Sequence, residues 1–409
     1  MEKSKFVFVV CGGKEHVETL HYSLRALRHF STHQILVVTD TTRNEIPVQH
    51  ENIIDVRTPE NFDHHQASIY LKTGLHNILP AGNLYCYLDT DVVALNNRVN
   101  DIFKHKTGII TFAVDHCQMH QFSPYAVNCG CLEKNQAEWN TLEEMLNRFD
   151  NSEQVTNPHL LKKQRELKKK FELIKRNRLR YAKFASQYLL SGKILRLDEN
   201  TYFDKTKRIW YDTMHNPILF DLSENTIKQI EQNTNWRWNF VKRRWISPTG
   251  NDVHQLDCNH LKEAIAQKFN IQVKGEKWQH WNGGVFLFDD SSHPFMQAWH
   301  LKTLEIFNDP HWKTRDQGTL IATAWQFGLQ NAPVISKQFN FIADFSNPRL
   351  IISEDREFIT DDAFDTQYTP AFIHIFHHFG KKGWEVWDWV EAKLQKEIPA
   401  MGVPVTKPQ

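Results

Sequence analysis

Apolar residues at the start of the chain gather in short unbroken runs separated by amphipathic stretches. Phe6-Val7-Phe8-Val9-Val10-Cys11 and Ile35-Leu36-Val37-Val38-Thr39-Asp40 have strand length and β-branched composition. Between them, Val17, Leu20, Leu24 and Leu27 fall on one stripe of a helix over 15–30. Residues 52–56 offer a third strand, and a helix is expected over 67–79, stopped by Pro80-Ala81-Gly82-Asn83. The run Leu84-Tyr85-Cys86-Tyr87-Leu88 follows at once, then 109–114, ending at Asp115. Residues 126–132 are expected to add a further strand at the core or its rim. Buried strands alternating with helices predict a parallel sheet with crossover helices.

The 84–88 run ends in Asp89-Thr90-Asp91 and then resumes as Val92-Val93-Ala94-Leu95. Open α/β sheets hold ligands at the carboxyl ends of their strands. Residues i and i+2 of a strand point the same way, so Asp89 and Asp91 are expected to converge. Converging carboxylates repel unless a cation lies beside them, and an oxygen pair suits Mg²⁺ or Mn²⁺ shared with substrate phosphates. Alone, Asp-x-Asp more often marks a strand end or a solvated turn. Upstream, Cys11-Gly12-Gly13 closes the first strand; it is no Gly-x-Gly-x-x-Gly fingerprint, but a turn without Cβ atoms lets a nucleotide approach the backbone.

Four motifs in order resemble the GT-A glycosyltransferases, especially the retaining family 8 group that includes glycogenin and bacterial galactosyltransferases. The first is the helix with Tyr70-Leu71-Lys72 that leads into the Asp89/Asp91 strand, with Lys72 at a position where the family has Arg. The second is Trp281-Asn282-Gly283-Gly284-Val285, and the third Arg315-Asp316-Gln317-Gly318, opening a helix. The last is 371–384, where His374, His377, Lys381, Lys382 and Trp384 resemble a His…Gly…Lys-Pro-Trp segment, with Gly383 in place of the proline.

The resemblance implies an α/β fold: a GT-A, Rossmann-like mixed sheet flanked by helices, with a large helical and β insertion between the Asp-x-Asp and Asn-Gly-Gly strands. It implies a hexosyl transfer, with retention, from a nucleotide diphosphosugar such as a UDP-sugar to an acceptor hydroxyl. Asp89, Asp91 and either His374 or His377 would hold Mn²⁺ or Mg²⁺. Lys381 and Lys382 would add charge beside the diphosphate. Cys11, Gly12, Lys72, Thr90 and Gly283 would contact the donor together with Asp89. Asp316 and Gln317 would stabilise the oxocarbenium-like sugar, and Asn282 would position its hydroxyls. The implied division is 1–135 for nucleotide-sugar binding, 136–277 for the insertion, 278–395 for the acceptor half and 396–409 for a tail.

Within the insertion, 160–183 is a basic amphipathic stretch, with Leu160, Leu167, Phe171 and Ile174 on one stripe and Lys168, Lys169 and Lys170 among its cations. A solvated face over a small core is the simpler reading; contact with an anionic acceptor or a membrane surface is the functional one. Trp236-Arg237-Trp238 and Trp245-Ile246 read as paired strands. They would serve either a sugar or partner surface or a small aromatic core.

Composition narrows the remaining choices. A net charge of +1 gives no reason to expect a nucleic-acid partner. No run approaches a membrane span and no targeting segment is visible. The six cysteines lack zinc-type spacing; Cys129-x-Cys131 stands isolated, and a reducing, cytoplasmic setting is expected. The acceptor is expected to be a glycan, lipid or protein, with the insertion as a possible dimer arm. Two competing readings stay open. One is a haloacid-dehalogenase-type phosphatase built on Asp89-Thr90-Asp91, with Glu354-Asp355 or Asp361-Asp362 as its acidic pair. The other is a nucleotide-sugar-binding protein without turnover.

Overall fold

A computed structural model describes residues 3–149, 157–220, 224–239, 244–254, 256, 258–275, 277–343, 351–352, 359–360 and 367–398. The first unit is β1 (Lys3–Val10), α1 (Lys14–Phe30), β2 (Gln34–Thr39) and β3 (Ile53–Asp55). The stripe Val17, Leu20, Leu24, Leu27 is buried, as its spacing requires. The helix expected over 67–79 is two: α2 (His64–Thr73) and the single turn α3 (Leu75–Ile78). It starts earlier because Asp63 caps it, accepting from Gln66 N at 2.7 Å while Gln66 Oε1 accepts from Asp63 N at 3.1 Å. It breaks at Gly74, a poor helix former whose N–H still reaches Tyr70 O. Next come β4 (Asn83–Leu88), β5 (Val92–Ala94) and β6 (Ile110–Val114).

The strand expected at 126–132 is absent. Its residues divide between the end of α4 (Met119–Ala126) and the start of α5 (Cys131–Phe149). The turn between them carries Gly130 at φ +72, and Asn128 Nδ2 donates to Pro310 O at 2.8 Å. The basic stretch is likewise two helices, α6 (Pro158–Arg176) and α7 (Arg178–Leu190); Asn177 divides them by accepting from Leu179 N and Arg180 N. An antiparallel sheet of β7 (Ile194–Asp198), β8 (Thr201–Asp204), β9 (Ile209–Asp212) and β10 (Pro217–Phe220) follows. Leu167 and Phe171 of α6 pack on its Phe203 and Trp210. On the same helix, Lys163 pairs with Asp212, Lys170 with Asp198 and Lys169 with Glu385. The apolar stripe of α6 thus covers a small core, with three of its lysines in ion pairs. Helix α7 leaves Leu179, Leu189 and Leu190 more than 80% exposed. A second small core joins α5, α8 (Glu224–Asn233) and the hairpin β11 (Arg237–Asn239) and β12 (Arg244–Ile246). Trp236 and Trp245 are buried in it, which settles their role as core. Helix α9 (His260–Phe269) leads back.

The last part holds β13 (Trp281–Phe288), α10 (His293–Ile306), α11 (Asp316–Gln326) and β14 (Phe341–Ile342). The short strands β15 (Ile351–Ile352), β16 (Ile359–Thr360) and β17 (Gln367–Tyr368) pair with one another, and β18 (Phe372–His374) and α12 (Glu385–Glu397) follow. The six-stranded sheet has the order β3-β2-β1-β4-β13-β6; β13 runs antiparallel to both neighbours, and the sheet is mixed. β14, β18 and β5 form a smaller sheet. Along β1, Phe6, Phe8 and Val10 face a layer with α1 and α12, while Val7, Val9 and Cys11 face α2, α10 and α11. Helices on both faces explain why the strands are apolar throughout rather than alternating.

Candidate functional site

The strand order reverses between β1 and β4: β2 and β3 lie on one side of β1, and β4 on the other. Such a switch point opens a crevice at the carboxyl ends of the two strands. Cys11 and Gly12 end one strand, Asp89 the other. Gly12 has φ +116, and a Cβ there would fall 2.9 Å from His64 Cβ, so only glycine fits this turn. Burial pushes the Cys11 thiol up to about 11, with the Asp40 charge adding to it, so this cysteine is a neutral wall. Asp40, ending β2, accepts from Thr58 N at 2.8 Å and Thr42 N at 3.1 Å and shapes the neighbouring loop.

Asp89 and Asp91 do converge, but not as neighbours on one strand. β4 ends at Leu88, and both carboxylates lie on the turn into β5, held by Val92 N to Asp89 O (3.0 Å) and Ile375 N to Asp91 O (3.0 Å). That second bond draws in β18, whose last residue is His374. Ligand atoms of Asp89, Asp91 and His374 all lie within 4.8 Å of one another. His374 Nε2 is 3.3 Å from Asp91 Oδ1, and Nδ1 is 3.0 Å from Asn340 Oδ1. A proton on Nδ1, donated to Asn340, leaves the Nε2 lone pair aimed at the carboxylates. His377 stands beyond the strand, its ring 4.2 Å from that of Phe376.

Gly283 and Gly284 form the opposite wall. The pairing of β13 with β6 skips from Asn282 to Phe286, a bulge that leaves both glycines without β6 partners. A Cβ on Gly284 would lie 2.6 Å from His374 Cε1 and 2.7 Å from Asp89 Oδ2, and one on Gly283 3.3 Å from both Asp316 Oδ2 and Lys72 Nζ. The hollow between two carboxylates and an imidazole therefore depends on the missing side chain. Two oxygens and one nitrogen, with an open side, fit a divalent cation.

Lys72 supplies the positive charge. Its Nζ lies 2.8 Å from Asp316 Oδ2 and 3.4 Å from Asp89 Oδ1. Burial works against the ammonium, but the two carboxylates outweigh it and hold its pKa above the usual lysine range. Asp89 Oδ1 also accepts from the Tyr87 hydroxyl at 2.6 Å. Asp316 opens α11, whose first turn is favourable ground for a carboxylate.

Asp115 was not expected here. It follows β6 as Asp89 follows β4, and that strand-end position was the signal available in the sequence. Its Oδ2 accepts from Asn282 Nδ2 and Gln317 Nε2, both at 2.9 Å. Burial would raise its pKa; His280, His116 and the hydrogen bonds hold it well below the usual carboxylate range. Asn282 in turn accepts from Gly284 N at 2.9 Å and from Asn340 Nδ2 at 3.3 Å. A polar network thus runs from Gln317 through Asp115, Asn282 and Asn340 to His374. Asn340 had no sequence signal. Asp115, His116 and Cys117 also bring ligand atoms together, but Asp115 Oδ2 already accepts two hydrogen bonds.

Other expected residues lie nearby in the chain. Thr90 sits between the carboxylates, and its carbonyl accepts from Ser23 Oγ at 2.6 Å. Lys381 and the exposed Lys382 occupy the turn between β18 and α12. Gly383 there has φ +81, a conformation closed to proline. The acidic pairs Glu354-Asp355 and Asp361-Asp362 lie outside the described residues. No helix among the described residues is long and apolar enough to cross a membrane.

No protein-family model and no curated protein matches this sequence. Among solved structures, the chain is similar to the galactosyltransferase LgtC in complex with donor and acceptor sugar analogues: 11% identity over 99% of this chain and 98% of that one, TM-score 0.39. It is also similar to the bifunctional glycosyltransferase WbbM, with 8% identity over 96% of this chain and 50% of that one, TM-score 0.40. A third similar structure is mouse xyloside xylosyltransferase 1, with 8% identity over 83% of this chain and 88% of that one, TM-score 0.33.

Proposed function

We propose that this chain is a metal-dependent glycosyltransferase that moves a hexosyl unit from a UDP-sugar to an acceptor hydroxyl with retention. The observation that carries the reading is the convergence of Asp89, Asp91 and His374 on a hollow kept open by Gly284 at the sheet's switch point. The mixed O,O,N donor set favours Mn²⁺ over the harder Mg²⁺. An ion held there would act as a Lewis acid on the leaving diphosphate.

The chain's own residues divide the remaining work. The Cys11–Gly12 turn offers backbone to the nucleotide, and Lys381 and Lys382 bring charge to the diphosphate end. Asp316, with its pair Lys72, faces the sugar, where a carboxylate stabilises developing positive charge. Gln317 and Asn282 are both fixed on Asp115, which leaves the Gln317 carbonyl and one N–H of Asn282, whose oxygen Gly284 N and Asn340 already occupy, pre-set to orient sugar hydroxyls. In retention without a protein nucleophile, the leaving phosphate takes the acceptor's proton, and no general base is assigned. The exposed leucines of α7, beside the cations of α6, support contact with a lipid or glycoconjugate acceptor.

The test is calorimetric titration of UDP into the protein with Mn²⁺, with EDTA, and with the Asp91→Ala variant. Metal-dependent binding that the variant loses is the expected result, with UDP-sugar hydrolysis falling at least about a thousandfold in the variant. Absence of UDP binding in folded protein under every condition would overturn the reading and bring phosphomonoesters forward as substrates.

A further inference from the structure

A second set of ligand-type side chains lies outside this site. Cys129 and Cys131 flank Gly130 in the turn between α4 and α5; Cys258 and His260 lie at the start of α9. The two pairs are 129 residues apart in sequence. All four nevertheless bring a ligand atom within 4.8 Å of the others. Cys129 Sγ lies 4.0 Å from Cys258 Sγ, and Cys131 Sγ 3.6 Å from His260 Nδ1. A tetrahedron with Zn–S of about 2.3 Å and Zn–N of about 2.0 Å has S···S edges of about 3.8 Å and S···N edges of about 3.5 Å. In the sequence Cys129-x-Cys131 stands isolated, because its complement lies beyond the whole inserted segment.

We propose that Cys129, Cys131, Cys258 and His260 bind one structural Zn²⁺ that clasps the two ends of the inserted segment. Three sulfurs and one imidazole form a soft set that selects zinc over Mn²⁺ or Mg²⁺, and four protein ligands leave no open position for chemistry. The surroundings are those of a metal ligand set. Leu261 N donates to Ser123 Oγ at 2.9 Å, and Ser123 Oγ lies 3.0 Å from Cys258 Sγ with its own proton free to donate there. Cys131 is the first residue of α5, where unpaired N–H groups favour a thiolate. The two pairs root α5 and α9, and between them lie both small cores of the segment.

The experiment measures metal content by mass spectrometry after dialysis of the full chain against EDTA, in wild type, Asp91→Asn and Cys131→Ser. It is paired with the absorption spectrum of cobalt-loaded wild type. The expected result is one zinc per chain in wild type and in Asp91→Asn and at least a tenfold loss in Cys131→Ser, with a thiolate-to-cobalt charge-transfer band and tetrahedral d–d bands in the cobalt protein. If Cys131→Ser does not fold, the cobalt spectrum of wild type decides. Folded protein without zinc or thiolate–cobalt absorption would overturn the proposal. So would a Cys129–Cys258 disulfide in place of the metal, or zinc lost from Asp91→Asn and kept by Cys131→Ser.

Discussion

The carboxylates after β4 bring their own counter-charge; the thiols at the base of the inserted segment bring none. Lys72 sits buried between Asp89 and Asp316, and Tyr87 and the Asp115–Asn282–Asn340 network tie the remaining polar atoms. Such a site is built before any ion arrives. The cysteine cluster instead gains its charge only when the thiols ionise on a metal, so there binding and local folding are one event. Both bring ligand atoms within 4.8 Å of one another, yet one holds its counter-charge before an ion arrives and the other does not.

The largest effect should come from removing metal from each in turn. Zinc held a thousandfold above its dissociation constant adds about 4 kcal/mol to stability. Thermal melts should therefore show a fall of several degrees for Cys131→Ser relative to wild type. Asp91→Asn, which relieves a carboxylate repulsion, should melt within about a degree of wild type. Equal melting of the two variants would erase the distinction. Next is Lys72→Met, which removes the built-in counter-charge and leaves Asp316 and Asp89 facing each other. Breaking a buried pair costs about 3–5 kcal/mol; with Asp89 a third open to solvent, the lower end is expected, read as a drop in urea midpoint at unchanged slope. A loss below about 1 kcal/mol would mean that Lys72 serves the ligand and not the fold.

The same contrast explains what the sequence could and could not reveal. Strand runs and the α1 stripe were legible because burial on both faces writes an unbroken apolar signal, as at Phe6–Val10. Asp89 and Asp91 were legible because they end such a run, although the turn and the bond to Ile375 N, not strand alternation, bring them together. His374 and Asp316 needed the family resemblance, since a lone histidine on an apolar strand carries no local mark. Asn340 and the zinc-type cluster were invisible for one reason: their partners are distant in sequence, and no periodicity encodes contacts across 34 and 58 residues for Asn340 or 129 for the cluster. The errors at 67–79 and 126–132 arose where Gly74 and Gly130 punctuate runs whose hydrophobicity alone reads as continuous.

A smaller effect tests how the preorganised site holds its histidine. Asn340→Ala removes the acceptor that fixes the His374 tautomer, and loss of such an outer partner weakens metal affinity about 10–100-fold. Manganese titration should show this shift, with zinc content untouched. Asn340→Asp, which keeps an acceptor, should recover most of the affinity.

The smallest effect is a pH dependence set by one buried histidine. His300 packs behind α2, the helix that carries Lys72, with Nδ1 2.8 Å from Thr73 Oγ1. Since Thr73 donates its own proton to Ile69 O at 2.9 Å, the imidazole Nδ1 is the donor in this pair. Burial, with the charge of His76, lowers the His300 pKa to about 4. An unfolded histidine titrates near 6.5. Its folded pKa is the lower, so its stabilising contribution is complete above about pH 6.5 and is lost as pH falls toward 4, with a slope of at most about 1.4 kcal/mol per pH unit. Protons also compete with zinc for the thiols over this range, so the measurement belongs in the Cys131→Ser background with EDTA present. There, His300→Gln should flatten the decline of urea stability between pH 6.5 and 4.5. An unchanged slope would show that the acid sensitivity in this window comes from other buried histidines, His76 or His280, whose pKa values burial also lowers; Asp40 and Asp115 lose their contribution only below the ordinary carboxylate range, near pH 4.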